Sequence, residues 1–154
     1  MVLTLSATIP SHAASLGTAS AKLARDDFVG AARDLAPLAA RGNARAQAML
    51  GFLYETGQGV PQAYDVASYW YGRAADQGDS TAQCLLGLAY DKGHGVPQDD
   101  IAAYKWLDLA AAHAPKNLRD QFARLRDAVA SKMSRTQIRA AQWRALTWSA
   151  GSRF

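Results

Sequence analysis

The stretch YETGQGVPQ, from Tyr54 to Gln62, returns as YDKGHGVPQ, from Tyr90 to Gln98, 36 residues later. A period of this length constrains the fold more than any single motif can, because each unit is one supersecondary element that cannot bury its apolar face alone and must stack on its neighbours. Between positions 46–78 and 82–114, 14 of 33 residues are identical, where unrelated sequence would give about two. The shared positions are Ala46/Ala82, Gln47/Gln83, Leu50/Leu86, Gly51/Gly87, Tyr54/Tyr90, both glycines of the GxG turn, its Val-Pro-Gln, Ala67/Ala103, Trp70/Trp106, Ala74/Ala110 and Ala75/Ala111. Half of an earlier copy precedes them: Phe28, Ala31, Leu35, Ala39 and Gly42 stand 36 residues before Tyr64, Ala67, Tyr71, Ala75 and Gly78. An eroded first unit, with a helix over about Ala14 to Ala24, fits a terminal repeat that has one neighbour only.

Each unit reads as two helices. Asn43 and Asp79 are good N-caps, followed by small and apolar residues at helical spacing. Gly57 and Gly93 suit a left-handed helix stop. Pro61 and Pro97 restart the chain in a first helical turn, where no backbone donor is needed. Asp65, Asp99 and Asp100 favour the positive end of a helix dipole. GxGVPQ is thus a stop, a bend and a start. A phosphate cradle would require a preceding strand and a lysine after the glycines, and neither is present. Gly51 and Gly87 share one phase inside the first helices, where glycine costs about 1 kcal/mol against alanine, so a neighbouring helix is expected to approach closely there. Tyr54, Tyr90, Trp70 and Trp106 are expected to fill the space between layers.

The pattern AQxxLGxxYxxGxGVPQ, continuing through Ala67, Trp70, Ala74 and Ala75, resembles the Sel-1-like branch of the tetratricopeptide-repeat superfamily. The resemblance covers Phe28 to Ala111, and RDAVASKMSRTQIRAAQW, Arg126 to Trp143, is similar to segments that follow bacterial arrays of this kind. It implies an all-α, α/α superhelical solenoid of helix-turn-helix repeats, with about eight helices including C-terminal cap helices. The division expected is 1–13, a signal peptide or disordered tail; 14–42, a degenerate first repeat; 43–78 and 79–114, two full repeats; 115–149, basic cap helices; and 150–154, a disordered tail. The resemblance also implies a bacterial, non-enzymatic adaptor that binds a protein or peptide partner in a helical groove, in the cytoplasm or, if the start is a leader, the periplasm.

No residue set carries an evident chemistry. No run approaches the roughly 18 to 20 apolar residues of a membrane span. The start has an apolar stretch, Val2 to Ile9, and small residues at Ala13 and Ala14, but no basic n-region. His12, His94 and His113 lack metal-ligand spacing, and His94 reads as a solvated loop residue. Cys84 is the single cysteine. No catalytic, metal or cofactor residues are therefore assigned. Some secreted relatives carry a cysteine pair in each repeat and have been given β-lactam-related roles. The alternative reading, a periplasmic enzyme or cell-wall-substrate binder, rests on them, but this chain has neither the pair nor an S-x-x-K serine.

Charge is distributed unevenly. Residues 1–112 hold 8 basic and 11 acidic side chains, and residues 113–154 hold 9 and 2, which produces the net +4 and the pI near 9.4. Leu118, Phe122, Leu125 and Val129 form a helical stripe, so this segment is an amphipathic cap helix. Ser134 and Gln137 fit a capping box opening a last helix, with Ile138, Ala141, Ala145 and Leu146 on one side. The dispersed arginines make nucleic acid a poor partner and leave a weak, salt-sensitive attraction for acidic partners. Beyond Trp148 the chain should fray, with Trp148 packed back on the last helix or exposed. In the first repeat, Ala46, Leu50, Leu53 and Tyr54 face inward, so Arg45, Ala48, Phe52 and Glu55 project the other way. Their equivalents are Thr81, Cys84, Leu88 and Asp91. The candidate partner-binding residues are accordingly Arg45, Phe52, Glu55, Thr81, Cys84, Leu88 and Asp91.

Overall fold

The structure, a computed structural model, describes residues 14–151. The leader reading of 1–13, with His12, and the last residues of the proposed tail lie outside them. Among the described residues there are eight helices and no strand: α1 (Leu16–Leu23), α2 (Phe28–Ala40), α3 (Ala44–Thr56), α4 (Tyr64–Ala75), α5 (Ser80–Lys92), α6 (Asp100–His113), α7 (Lys116–Ala130) and α8 (Arg135–Leu146). Each helix from α2 to α7 packs on the one before it, which is the stacking that the period demands. The starts of α3, α5 and α7 are 36 residues apart, and α8 begins close to the same register after α4 and α6. The two last helices thus continue the array as a further helix pair. They lack its turn: α7 runs on where α5 stops, and α8 lies on α6 rather than against α7.

The turn works by closing its own hydrogen bonds and then seating itself on the preceding repeat. Gly57 (φ 69°) and Gly93 (φ 70°) end α3 and α5 in the left-handed region. The exposed carbonyls of the helix ends are then taken up. The amides of Gln58 and His94 donate to the carbonyls of Leu53 and Ala89, and those of Ala63 and Asp99 to Tyr54 and Tyr90. Gln62 Nε2 donates to the Glu55 carbonyl at 2.8 Å, and Gln98 Nε2 to that of Asp91 at 3.0 Å. The glutamine of GVPQ is therefore a C-cap side chain. The prolines sit differently from expectation: Pro61 and Pro97 precede the first residues of α4 and α6 by three positions, in the extended connection. Asp99 N-caps α6, whereas Ala63 gives α4 no side-chain cap.

The second glycine of each turn meets the previous unit. A Cβ on Gly59 (φ 72°) would lie 2.6 Å from the Val29 nitrogen, and one on Gly95 (φ 72°) 2.6 Å from that of Asp65, at the starts of α2 and α4. Ser68 Oγ donates to the His94 carbonyl at 2.7 Å across the same junction, and the His94 ring stacks on Tyr64 at 4.4 Å. His94 is thus half-buried and packed between repeats, not a free loop residue. Gly51 and Gly87 behave as the sequence predicts. A Cβ there would meet Tyr71 Cε1 at 2.7 Å and Leu107 Cγ at 2.8 Å, with the carbonyls of Ala67 and Ala103 at 3.1 Å.

Gln47 and Gln83 are fully buried. Their Nε2 atoms donate to the carbonyls of Ala39 and Ala75, at the ends of α2 and α4. Each Oε1 is satisfied from the next repeat position: Gln77 Nε2 donates to Gln47 at 2.8 Å, and His113 Nδ1 lies 3.0 Å from that of Gln83. A buried amide with all its partners present costs little, and with one removed it costs about 1–3 kcal/mol.

The first helices have two covered faces. Ala48 and Cys84, expected to project outward, are 3% and 5% exposed because the following helices pack on them as well. In the cap, Phe122 and Val129 are buried with Leu118 and Leu125 beside them, and Ser134 and Gln137 form the capping box. Leu146, expected on the same side of α8 as Ile138, Ala141 and Ala145, is 81% exposed, because α8 turns those three toward the array, with Gln142 Nε2 donating to Tyr104 Oη at 3.3 Å. Trp148 packs edge-on to Trp106 of α6 with ring centres 6.1 Å apart, near His113, and against the cluster that includes Ala145 of α8. The Gly151 amide donates to the Asp76 carbonyl at 2.8 Å.

Two glycines with similar backbone angles separate the cost of conformation from that of contact. Gly78 (φ 92°) has open space where a Cβ would be, whereas Gly95 faces backbone. Gly78→Ala should cost about 1–2 kcal/mol, and Gly95→Ala upwards of about 3 kcal/mol, read as midpoint shifts in urea unfolding.

Candidate partner-binding cleft

The ends of α1 and α2 and the facing sides of α3 and α5 leave an open cleft of about 270 Å³. Leu23, Phe28, Met49, Leu53 and Leu85 line it with Ala48, and Phe52 stands at its edge with 45% of its surface exposed. Arg45, Gln58 and Thr81 supply the polar atoms. The local reason is the turn just described: Gly59 draws the α3–α4 connection onto Phe28, which holds the start of α2 beside the end of α3. Arg45 is exposed and has no hydrogen bond, ion pair or ring contact among the described residues. An uncompensated guanidinium beside an apolar surface suits a partner that brings an apolar side chain and a carboxylate.

Of the seven residues singled out by sequence, the cleft brings together Arg45, Phe52 and Thr81. Glu55 faces the repeat interior and accepts a hydrogen bond from Tyr71 Oη at 2.6 Å. Burial, and then that carboxylate, push the Tyr71 phenol far above its ordinary pKa, so it is a donor at neutral pH. Cys84 is buried against α6 and α7, and burial pushes its thiol up to about 11. Leu88 is half-buried against the same cluster, which draws on α5, α6, α7 and α8. Asp91 is held by Lys132 at 2.6 Å, which also reaches Asp100 at 3.0 Å; the bond to Asp91, followed by that to Asp100, raises the pKa of Lys132. The two repeats therefore differ at equivalent positions: Phe52 is open and Leu88 is packed. Met49 and Leu85 occupy matching phases and also line the cleft, but the sequence does not single them out, since an apolar residue beside a buried stripe reads as part of it.

Chemistry on this surface is limited. A thiol with a pKa near 11 is protonated at neutral pH and is a poor nucleophile. No group of three or more His, Cys, Asp or Glu residues among the described residues is arranged to hold a metal ion. No described helix is long and apolar enough to cross a membrane.

Comparison with known proteins gives the same architecture. The family model for the Sel1 repeat matches residues 44–79 and 80–114. A solved structure of a protective antigen from uropathogenic Escherichia coli strains, described as displaying an SLR fold, superposes with a TM-score of 0.78 at 27% identity over 86% of this chain. A Sel1 repeat protein from Oxalobacter formigenes does so with a TM-score of 0.59 at 29% identity over 73%. The chain spans 28% and 53% of the lengths of those two proteins. No curated protein matches it.

The environment of Cys84 makes a direct check of the packing beneath α7. At pH 8 the native thiol should react with a disulfide reagent at least about 100-fold more slowly than the urea-unfolded chain, since both burial and the low thiolate fraction protect it. Rapid labelling of the native protein would mean that α7 does not cover Cys84.

Proposed function

We propose that this chain, whose residues 44–114 match the Sel1 repeat, is a non-enzymatic interaction module that seats a peptide or protein segment in the cleft between α1, α2, α3 and α5. Sel1 repeat proteins generally serve protein–protein interaction, and the general role is carried by the repeats themselves. The finer reading rests on one observation: Phe52 remains open above an apolar cleft, while its counterpart Leu88 is packed. Covering the 45% of Phe52 that is exposed would contribute about 1 kcal/mol, so an occupied cleft has a ready anchor contact. Arg45 at the rim favours a segment with a carboxylate next to its apolar residue.

The paired substitutions test this reading, because fold and binding should respond oppositely. Phe52→Ser removes a side chain that is 45% exposed and should destabilise by about 1 kcal/mol at most. Leu88→Ser should destabilise by about 1–3 kcal/mol. Peptides selected from a displayed library against the intact protein should bind the Phe52→Ser form at least about 10-fold more weakly, and Arg45→Glu should shift selection away from acidic sequences. Selected peptides that bind the Phe52→Ser form equally well would place the partner elsewhere.

A further inference from the structure

The last helix carries a second exposed surface that the cleft does not use. Ile138, Ala141 and Ala145 turn α8 toward α6, which leaves Arg135, Arg139, Trp143 and Leu146 along its outer side and Arg144 at the margin. Trp143 is 68% and Leu146 81% exposed, among the most open large apolar side chains of the described residues. The helix, RTQIRAAQWRAL, contains no acidic residue. Arg135, Arg139 and Arg144 have no ion pair or hydrogen bond from their side chains among the described residues. Among the acids near the cap, Asp108 and Asp127 hold Arg126, and Asp91 and Asp100 hold Lys132, while Asp120 is exposed on α7. Lys105 of α6 adds a further cation beside Trp143 and Arg144, with Asp76 its nearest acidic influence.

The geometry points to an anionic phospholipid surface as the occupant of this face: the arginines meet headgroup phosphates while Trp143 and Leu146 enter the interfacial layer. Three observations favour a bilayer over other anionic partners. The face is carried on one helix, and only Trp143 and Arg144 border the hollow beside Lys105 and Trp148, while Arg135, Arg139 and Leu146 lie outside it, so most of the face offers no groove for a peptide. Leucine finds no complement in a phosphate backbone, which argues against nucleic acid. Tryptophan flanked by arginine suits the headgroup region, where an amphipathic ring and charges of one sign both gain. The contact is peripheral, since the apolar stripe of α8 is already spent on α6. The inference stands independently of the cleft.

Co-sedimentation with vesicles tests it. The full chain should bind phosphatidylcholine vesicles carrying roughly one-third phosphatidylglycerol and should bind pure phosphatidylcholine on the order of 100-fold more weakly. Replacing Arg135, Arg139 and Arg144 by Gln should cost on the order of 100-fold, and Trp143→Ser with Leu146→Ser at least about 10-fold. Circular dichroism of these variants should be unchanged, because all five side chains are exposed. Brominated lipid should quench the native fluorescence, and Trp143→Phe should remove that quenching although three other tryptophans remain. Absence of binding to anionic vesicles would overturn the inference. So would binding indifferent to the Trp143 and Leu146 pair, or a concentration-dependent dimer that the pair abolishes, since the face would then belong to an acidic protein or to a second copy.

Discussion

The seat of each glycine turn on the helix start of the preceding repeat is the contact on which the remaining architecture depends. Two helices joined by a short bend bury one face against each other, and they need a fixed rotation relative to the next pair before a continuous core can form. Gly59 against Phe28 and Val29, and Gly95 against Tyr64 and Asp65, fix that rotation through backbone, with no room for a side chain. The buried Gln47 and Gln83 hold the opposite ends of the same helices. Each junction is therefore held at both ends, by close approach at one and by an amide network at the other. The core between them can then be built largely of alanine.

This arrangement also explains where the chain can and cannot bind. Where a following helix is long enough, it covers the outward residues of the helix before it. α7, which lacks the glycine stop and runs to Ala130, covers Cys84 and leaves Leu88 half-buried. α5 stops at Lys92 under Gly93, and the surface around Phe52 stays open.

The sequence made the local features legible. The repeat, the left-handed stops at Gly57 and Gly93, the close approach at Gly51 and Gly87, and the caps at Asn43, Asp79 and Ser134 all follow from residue type and spacing. What it hid was tertiary. The burial of Ala48 and Cys84 requires knowing that a solenoid helix has neighbours on two sides, which a single amphipathic stripe does not express. The roles of Gln47, Gln83, Gly59 and Gly95 depend on atoms of the preceding repeat, some 30 residues away in the case of Gly59 and Phe28. Trp148 finds its partner on α6 and Leu146 finds none, because α8 settles beside α6 at an angle that periodicity alone does not fix. For the candidate cleft, Phe52 and Arg45 could be named from helix phase, but the lining of Leu23 and Phe28 comes from the eroded first unit, where the sequence match is poorest.

Native-state hydrogen exchange at the turn amides tests the central claim most directly. The amides of Gln58, Ala63, His94 and Asp99 donate to helix-end carbonyls, and a turn that locks one repeat to the next should open only with the array. Their exchange should therefore be as slow as that of the buried helical amides near Leu53 and Ala89, and it should report the same unfolding free energy. Exchange at the rate of exposed loops, with the helices still protected, would contradict the account and make GxGVPQ a flexible connector.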